Sequence, residues 1–467
     1  MSPKPAENDA LLSPPDHVLS TLEQDGSRRW LRPRLSMGGW WKKRRIIAYV
    51  LMVIFVGIPH LRISGRPLML LDIGAREFTI FGKTFLPTDT LLLALLMLTV
   101  FVTIVLVTAI AGRVWCGWAC PQTVYMEFLF RPIDRLFEGT VGKGGKPKRG
   151  RNLAMQAARF AVYVVLCGFL AHTFLAYFVG TERLSQWMQS SPTEHPVAFL
   201  VMTSTLGLMI FDFMFFREQL CLIACPYGRF QSVMLDEQSM IVAYDEPRGE
   251  PREKGKRDGG GSAGDCVDCN QCVVVCPTGI DIRDGLQMEC INCTQCIDAC
   301  DGVMEKVGLP KGLIRYSSQD SIAGKTKRLF RARTIVYPVI LLGLMSGLVF
   351  ALSTKSGFDA RIIRHSGAPF TRYNDGRVSN EFRIRLVNRT NEPQTYTIGK
   401  PSVENVTIEV LDEAKLSLEK GESVLLPVHV TFDGTLTFGK GREKISASIA
   451  DGSNNKREVE FTLLGPR

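Results

Sequence analysis

The chain has 467 residues, 46% of them hydrophobic and 22% charged, with 56 Lys and Arg against 46 Asp and Glu and a formal net charge of +10. So much apolar material excludes a disordered chain, and the length excludes a small disulfide scaffold and leaves room for about three domains. The totals fit an ordinary soluble protein, but the apolar residues are bunched into long blocks and 12 of the 13 cysteines fall into motifs.

In chain order, residues 1–45 form a polar arm with nine Lys and Arg, four of them in Lys42-Lys43-Arg44-Arg45, and no cleavable secretory signal is apparent. Apolar blocks then follow at 46–63, 90–111, 157–180, 197–216 and 334–352. A membrane-crossing helix needs about 20 such residues. The last four blocks qualify; the first is short and contains Pro59. Five blocks in one chain predict a multi-domain membrane protein with a five-helix α-helical membrane domain. Lys and Arg number nine in the N-terminal arm, four in 62–89, nine in 112–159 and one in 181–196. By the positive-inside rule, the N-terminus, the 112–159 loop and residues 217–333 face the cytoplasm, and residues after 353 lie outside. The net charge then reads as orientation bias and attraction to membrane lipid, not as nucleic-acid binding.

Two cysteine pairs stand just past the second and fourth blocks. Arg113-Val-Trp-Cys116-Gly-Trp-Ala-Cys120-Pro121 parallels Glu218-Gln-Leu-Cys221-Leu-Ile-Ala-Cys225-Pro226, which points to a duplicated helical hairpin. Residues i and i+4 share a helix face, and the proline disfavours helical geometry for the residue before it, so each pair is expected at a helix end. A thiolate pair there can hold a soft metal ion, and two facing pairs could supply four sulfurs; thiolates select Cu(I), zinc or iron–sulfur clusters. The alternative is plain packing of small apolar side chains, the expectation for Cys167. Met97, Met202, Met209 and Met214 lie on the spans and read as filler more than as copper ligands. His60 and His172 are too few for haem.

A Pro-, Gly- and charge-rich linker covers 246–265. Then comes Cys266-x2-Cys269-x2-Cys272-x3-Cys276-Pro277, repeated as Cys290-x2-Cys293-x2-Cys296-x3-Cys300. Three cysteines three apart wrap one corner of a cubane, and the fourth reaches the other cluster. Cys266, Cys269, Cys272 and Cys300 are therefore expected to hold one [4Fe–4S], and Cys290, Cys293, Cys296 and Cys276 a second. Zinc normally takes two C-x2-C pairs, and disulfides are disfavoured in the cytoplasm. The second copy has Asp301 where proline often follows the fourth cysteine, at no loss of a ligand. Residues 266–305 thus read as an inserted bacterial-type double-cluster ferredoxin domain, followed by a connector at 306–333.

After the final span the pattern changes. Alternating stretches at 381–388, 394–399, 405–411, 423–430, 444–450 and 457–464 are separated by turn-formers, which predicts a C-terminal immunoglobulin-like β-sandwich over 353–467. Neither His429 nor Asp433 there suggests chemistry.

From about residue 40 onward, this order of spans, paired C-x3-C-P motifs, double ferredoxin motif, last span and sandwich resembles the bacterial cytochrome c oxidase accessory proteins CcoG, FixG and RdxA. The cysteine core is also similar to quinol-dehydrogenase membrane ferredoxins of the NapH kind. The first resemblance implies an inner-membrane protein that reduces Cu(II) to Cu(I) for assembly of cbb3-type cytochrome oxidase. Cys116, Cys120, Cys221 and Cys225 would then bind copper. Implied partners are a cytoplasmic electron donor or quinol, oxidase assembly factors, and copper chaperones or transporters. The second resemblance implies a quinol dehydrogenase subunit; a non-enzymatic assembly scaffold is a third possibility. No G-x-G-x-x-G motif for a nicotinamide or flavin precedes a helix.

Overall fold

A computed structural model describes residues 17–466 apart from 24, 26, 64, 75–76, 82, 86–89, 140–151, 254–263, 326–330, 354–356, 365–367, 391, 420 and 453–454. Residues 1–16 of the N-terminal arm and 254–263 of the 246–265 linker lie outside the described residues. The described residues divide between two compact units, 1–61, 70–72 and 94–346 in one and 62–69, 73–93 and 347–467 in the other.

Four helices are long and apolar enough to cross a bilayer: Leu91–Ala111, Leu153–Val179, Pro196–Phe216 and Ala332–Ser353. They match the last four predicted blocks to within a few residues. The predicted first span differs. Its helix is Gly39–Gly57, so it begins inside the basic run, and it ends in a tight 3-10 turn at Ile58–His60. Only the part after Arg45 is apolar, and at 1.5 Å per residue that is well short of the roughly 30 Å hydrocarbon layer. Among the described residues, four helices are therefore long and apolar enough to span, and a fifth is not established.

The helix at 153–179 packs with those at 121–138 and 196–216 around Tyr125, Phe130, Tyr163, Cys167, Leu170 and Phe213. Phe130 stacks on Phe213 with ring centres 4.2 Å apart. Cys167 is fully buried there, a packing residue as expected, and Met209 and Met214 fill the same core.

The ferredoxin segment contains the short helix Gln271–Val274 and the longer Gln295–Lys306. The flanking strands Ile241–Tyr244 and Ile314–Ser317 pair antiparallel and bring its two ends together.

The second unit holds the sandwich. One sheet runs in the order Phe358–Arg364, Arg377–Asn388, Ser423–Asp433, Val406–Val410; the other runs Thr397–Pro401, Arg442–Ala450, Lys456–Leu464. Lettered A to G along the chain, these sheets are ABED and CFG, the constant-type immunoglobulin arrangement. All six predicted strands are present; the sequence reading missed strand A, Phe358–Arg364. Alternation builds the core: Phe382, Ile384, Leu386, Leu426, Val428 and Val430 of one sheet pack with Ile445, Ile449 and Leu463 of the other. No cysteine follows Cys300, so this sandwich lacks the inter-sheet disulfide of antibody domains.

Candidate metal centres

The two ferredoxin motifs fold alike. Asp268 and Asn292, two residues after the first cysteine of each copy, have φ of 46° and 53°; Asn270 and Thr294, two further on, have 56° and 62°. Left-handed backbone at both places curls each C-x2-C-x2-C run into a tight loop whose N–H groups turn inward, an anion-binding nest. Asp and Asn tolerate this conformation, but a β-branched threonine does not, so Thr294 marks strain held by its burial.

Each loop closes on a cavity. One is lined by Cys266, Cys269, Cys272 and Cys300. The other is lined by Cys276, Cys290, Cys293 and Cys296, with Cys272 shared between the two walls. These are the two groupings expected from the spacing, each with its fourth cysteine supplied by the other copy. Thiolates around an enclosed space suit a cubane better than a single ion, since a cubane's ligands stand apart around a cage of iron and sulfide. Burial pushes the Cys272, Cys293 and Cys300 thiols up to about 12 and Cys290 to about 11. A coordinated metal reverses this and deprotonates the thiol outright.

The paired C-x3-C-P motifs do not form single helical turns. Cys116 sits in the short helix Val114–Trp118, the chain breaks, and Cys120 is the N-cap of the helix starting at Pro121, with φ −61° and ψ 126°. Cys221 lies in the wide π-helical turn Leu220–Ala224, and Cys225 caps the helix starting at Pro226, with φ −73° and ψ 109°. The proline forces both extended caps, so the two cysteines of a pair straddle a break instead of sharing one helix face. The backbone N–H groups of Gln122 and Thr123 favour the charged form of Cys120, though burial outweighs them and pushes its thiol up. Cys116 is pushed up to about 12 by burial and then by Cys120, and it also feels Cys225. Cys221 is pushed up by burial and then by Cys120, Cys116 and Cys225. The four thiols thus lie within electrostatic range of one another. Among the described residues, no three Cys, His, Asp or Glu side chains converge tightly enough to enclose one ion.

This group abuts the second ferredoxin loop. A Cβ on Gly117 would come within 2.6 Å of the backbone oxygens of Ile291 and Asn292, so only glycine allows the approach. Trp118 donates from Nε1 to the Tyr316 hydroxyl at 2.8 Å, and that hydroxyl donates to the Asn292 carbonyl at 3.1 Å. Trp40 packs edge-on against both rings. One cavity is lined by both Cys221 and Cys293, together with Arg44, Arg131, Arg217 and Glu218.

Arginines complete the contact. Arg44 donates from Nε to the Gly117 carbonyl at 2.9 Å and from Nη1 to the Cys293 carbonyl at 2.6 Å. Arg113 donates to the Met288 and Cys290 carbonyls. Arg131 donates to the Pro277 carbonyl at 3.3 Å and pairs with Glu127 at 2.6 Å. Asp134 binds Arg217 at 2.8 Å and accepts from Tyr163 at 2.8 Å. The sequence reading missed these residues. For Arg44 a signal existed: Trp41, Arg44 and Ala48 are the buried residues of their helix and sit at helical spacing within a run otherwise read only as a topology signal.

Comparison with known proteins matches this layout. Residues 216–319 match a family described as a 4Fe-4S dicluster domain, residues 93–142 a 4Fe-4S binding domain, and residues 348–466 the IG-like fold at the C-terminus of FixG. The nitrogen fixation protein FixG of Rhizobium meliloti is 30% identical over 94% of this chain and 93% of its own. The chain belongs to the FixG family. Protein RdxA of Cereibacter sphaeroides is 35% identical over 78% of this chain and 81% of its own, and protein RdxB of the same organism 34% identical over 88% of each. This FixG-family member is an iron–sulfur electron-transfer protein of the membrane.

Proposed function

We propose that the protein is a cupric reductase of the bacterial inner membrane that supplies Cu(I) for assembly of a cbb3-type cytochrome c oxidase. Cys266, Cys269, Cys272 and Cys300 ligate one [4Fe–4S] cluster; Cys276, Cys290, Cys293 and Cys296 ligate the second. When bound, these clusters supply one-electron storage and transfer. Cys116, Cys120, Cys221 and Cys225 receive the substrate ion. The observation that carries the reading is the seating of Gly117, between two of those cysteines, directly on the loop that bears Cys290 and Cys293.

The chain's residues have simple tasks in this reaction. One electron converts Cu(II) to Cu(I), and the ion itself gains or loses no proton, so no general acid or base is needed at the copper. Where quinol is the donor, its two electrons reduce two copper ions and its two protons are released at the place where it is oxidised. Soft thiolates favour Cu(I) over Cu(II) and so assist the reduction. An open group of four thiols, not a closed cage, suits an ion that must arrive and leave. Trp118, Tyr316 and Trp40 pack together at the contact and help hold it. The electrons come from a cytoplasmic donor or from quinol. The N-terminus and ferredoxin segment face the cytoplasm, and the sandwich serves outside as a docking module for assembly factors or copper carriers.

A second reading is favoured by the match of residues 93–142 to a 4Fe-4S binding domain: the membrane thiols would hold iron and the chain would relay electrons from quinol. Metal analysis separates the two. About eight irons per chain, with copper retained after mild loading, fits the cupric reductase; about twelve irons fits a third cubane. Replacing Cys116 and Cys120 by Ser should leave cluster absorbance intact and abolish Cu(II) reduction. Survival of the activity in that variant, and in the matching Cys221 and Cys225 variant, would remove copper from this site.

A further inference from the structure

Arg44 and Arg113 are 1% and 5% exposed, and among the described residues neither forms an ion pair. A buried cation without a counter-charge is strongly destabilising, so something must balance each. Backbone carbonyls take some of their N–H groups. Arg44 donates to Gly117 and Cys293, and Arg113 to Met288, Cys290 and, at 3.4 Å, Gly228. Arg44 Nη2 and Arg113 Nε are buried with no hydrogen-bond partner. Two carboxylates that feel the charge of Arg44 are committed elsewhere: Glu127 binds Arg131, and Asp298 accepts the N–H groups of Trp40 and Trp41. What both arginines do face is thiols. The Cys293 sulfur feels Arg44, and the Cys290 sulfur feels Arg113.

The other cysteine group has no such excess of positive charge. Its nearby cation, Arg283, is held by Asp281 at 2.5 Å and Asp268 at 2.7 Å. Cys272 feels Arg283 and, more weakly, Asp281, and Cys300 feels Asp301; in the other group Cys290 feels Arg113 and, more weakly, Glu289. One set thus has Arg283 among Asp268, Asp281 and Asp301, and the other has Arg44 and Arg113 with Glu289, so the charge balance is more positive around the second although the loops are near copies.

We propose that Arg44 and Arg113 are buried counter-charges for the cluster held by Cys276, Cys290, Cys293 and Cys296, and that they make it the easier of the two to reduce. The inference rests on the cluster assignment given under Proposed function. It explains why the membrane-facing cluster is the one that collects the electron: net charge and local field set the potential of such groups, and unpaired cations in a dry interior act with little screening. Both arginines arise from the membrane part of the unit, so the same residues that dock the loop also tune it. They are positioning residues and touch no substrate.

The test is a redox titration of the full-length protein in detergent, followed by electron paramagnetic resonance. The native protein should carry about eight irons and show two one-electron steps; if it does not, the cluster assignment has failed and not the arginine proposal. Arg44→Gln and Arg113→Gln should each lower the higher-potential step by a tenfold change in its reduction equilibrium, about 59 mV for one electron, and leave the lower step in place. Arg44→Lys and Arg113→Lys keep the charge, lose the carbonyl geometry and should hold the native potential. An unmoved higher step in the iron-replete glutamine variants overturns the proposal, as does movement of the lower step. Should the glutamine variants lose iron, the lysine variants decide: a native potential supports the charge role, and a lowered one overturns it.

Discussion

The sandwich is built on one cluster of aliphatic and aromatic side chains, among them Ile384, Leu386, Leu426, Val430 and Phe432, with buried polar residues such as Asn380 and Asn388 beside it. The core of the ferredoxin segment has Cys266 and Cys272 packed among Val242, Ile280, Ile297 and Met304, with Cys276, Cys290, Cys296 and Cys300 at its edge. The first kind of core is complete from its own sequence. The second is built around space for something else, and its loops hold four non-glycine residues in left-handed backbone to make that space. The difference teaches where stability resides: in buried apolar area for one region, and in ligation for the other.

Removing iron gives the largest expected effect. Chelation of the full-length protein should abolish hydrogen-exchange protection over 266–305 and leave it intact over 377–464; parallel loss in both regions would end the contrast. Next comes the polar side of the same unit. Asp134→Ala strips Arg217 of its carboxylate and Tyr163 of its acceptor, and should cost about 3–5 kcal/mol in denaturant unfolding of that unit. In the sandwich, Ile384→Ala should cost about 2–5 kcal/mol through the cavity it leaves, with iron content unchanged. Gly117→Ala should cost about 1–3 kcal/mol by overpacking, because both contacting atoms are backbone oxygens. It should slow electron delivery to the membrane thiols while cluster absorbance stays normal. His429→Ala, on the outer face of its strand opposite Glu381, should change stability by less than about 0.5 kcal/mol.

Much of this architecture is legible in the residues. Cysteine spacing alone assigns the two cavities, because a fixed ligand count at fixed intervals leaves few alternatives. The sandwich is equally legible, since period-2 alternation and turn-formers are local signals. Strand A escaped because Phe358–Arg364 mixes Asp359, Arg361 and Arg364 into a short apolar stretch. The first span was overread for a related reason. Hydropathy treats Ile46–Ile63 as one block, whereas Pro59 ends the helix and Arg44 draws its beginning into the protein. The arginines around the second cysteine loop left no pattern to read: Arg113 and Arg131 are ordinary residues until the fold sets them against particular carbonyls.

Asp298 lies midway between Cys296 and Cys300 on the helix Gln295–Lys306, and its carboxylate accepts the backbone N–H groups of Trp40 at 3.0 Å and Trp41 at 2.7 Å. It thus caps the helix Gly39–Gly57 from outside, supplying the negative charge that a helix start attracts. One rod of 12 residues therefore carries a cysteine from each group and the cap of another helix. In maturation terms the three are geared together: seating either cluster fixes the rod, which presents the other cluster's cysteine and locks the N-terminal helix in the same motion. The first cluster thus bears the cost of that ordering and the second meets a site already formed, so half-loaded chains should be rare and filling should run close to all-or-none.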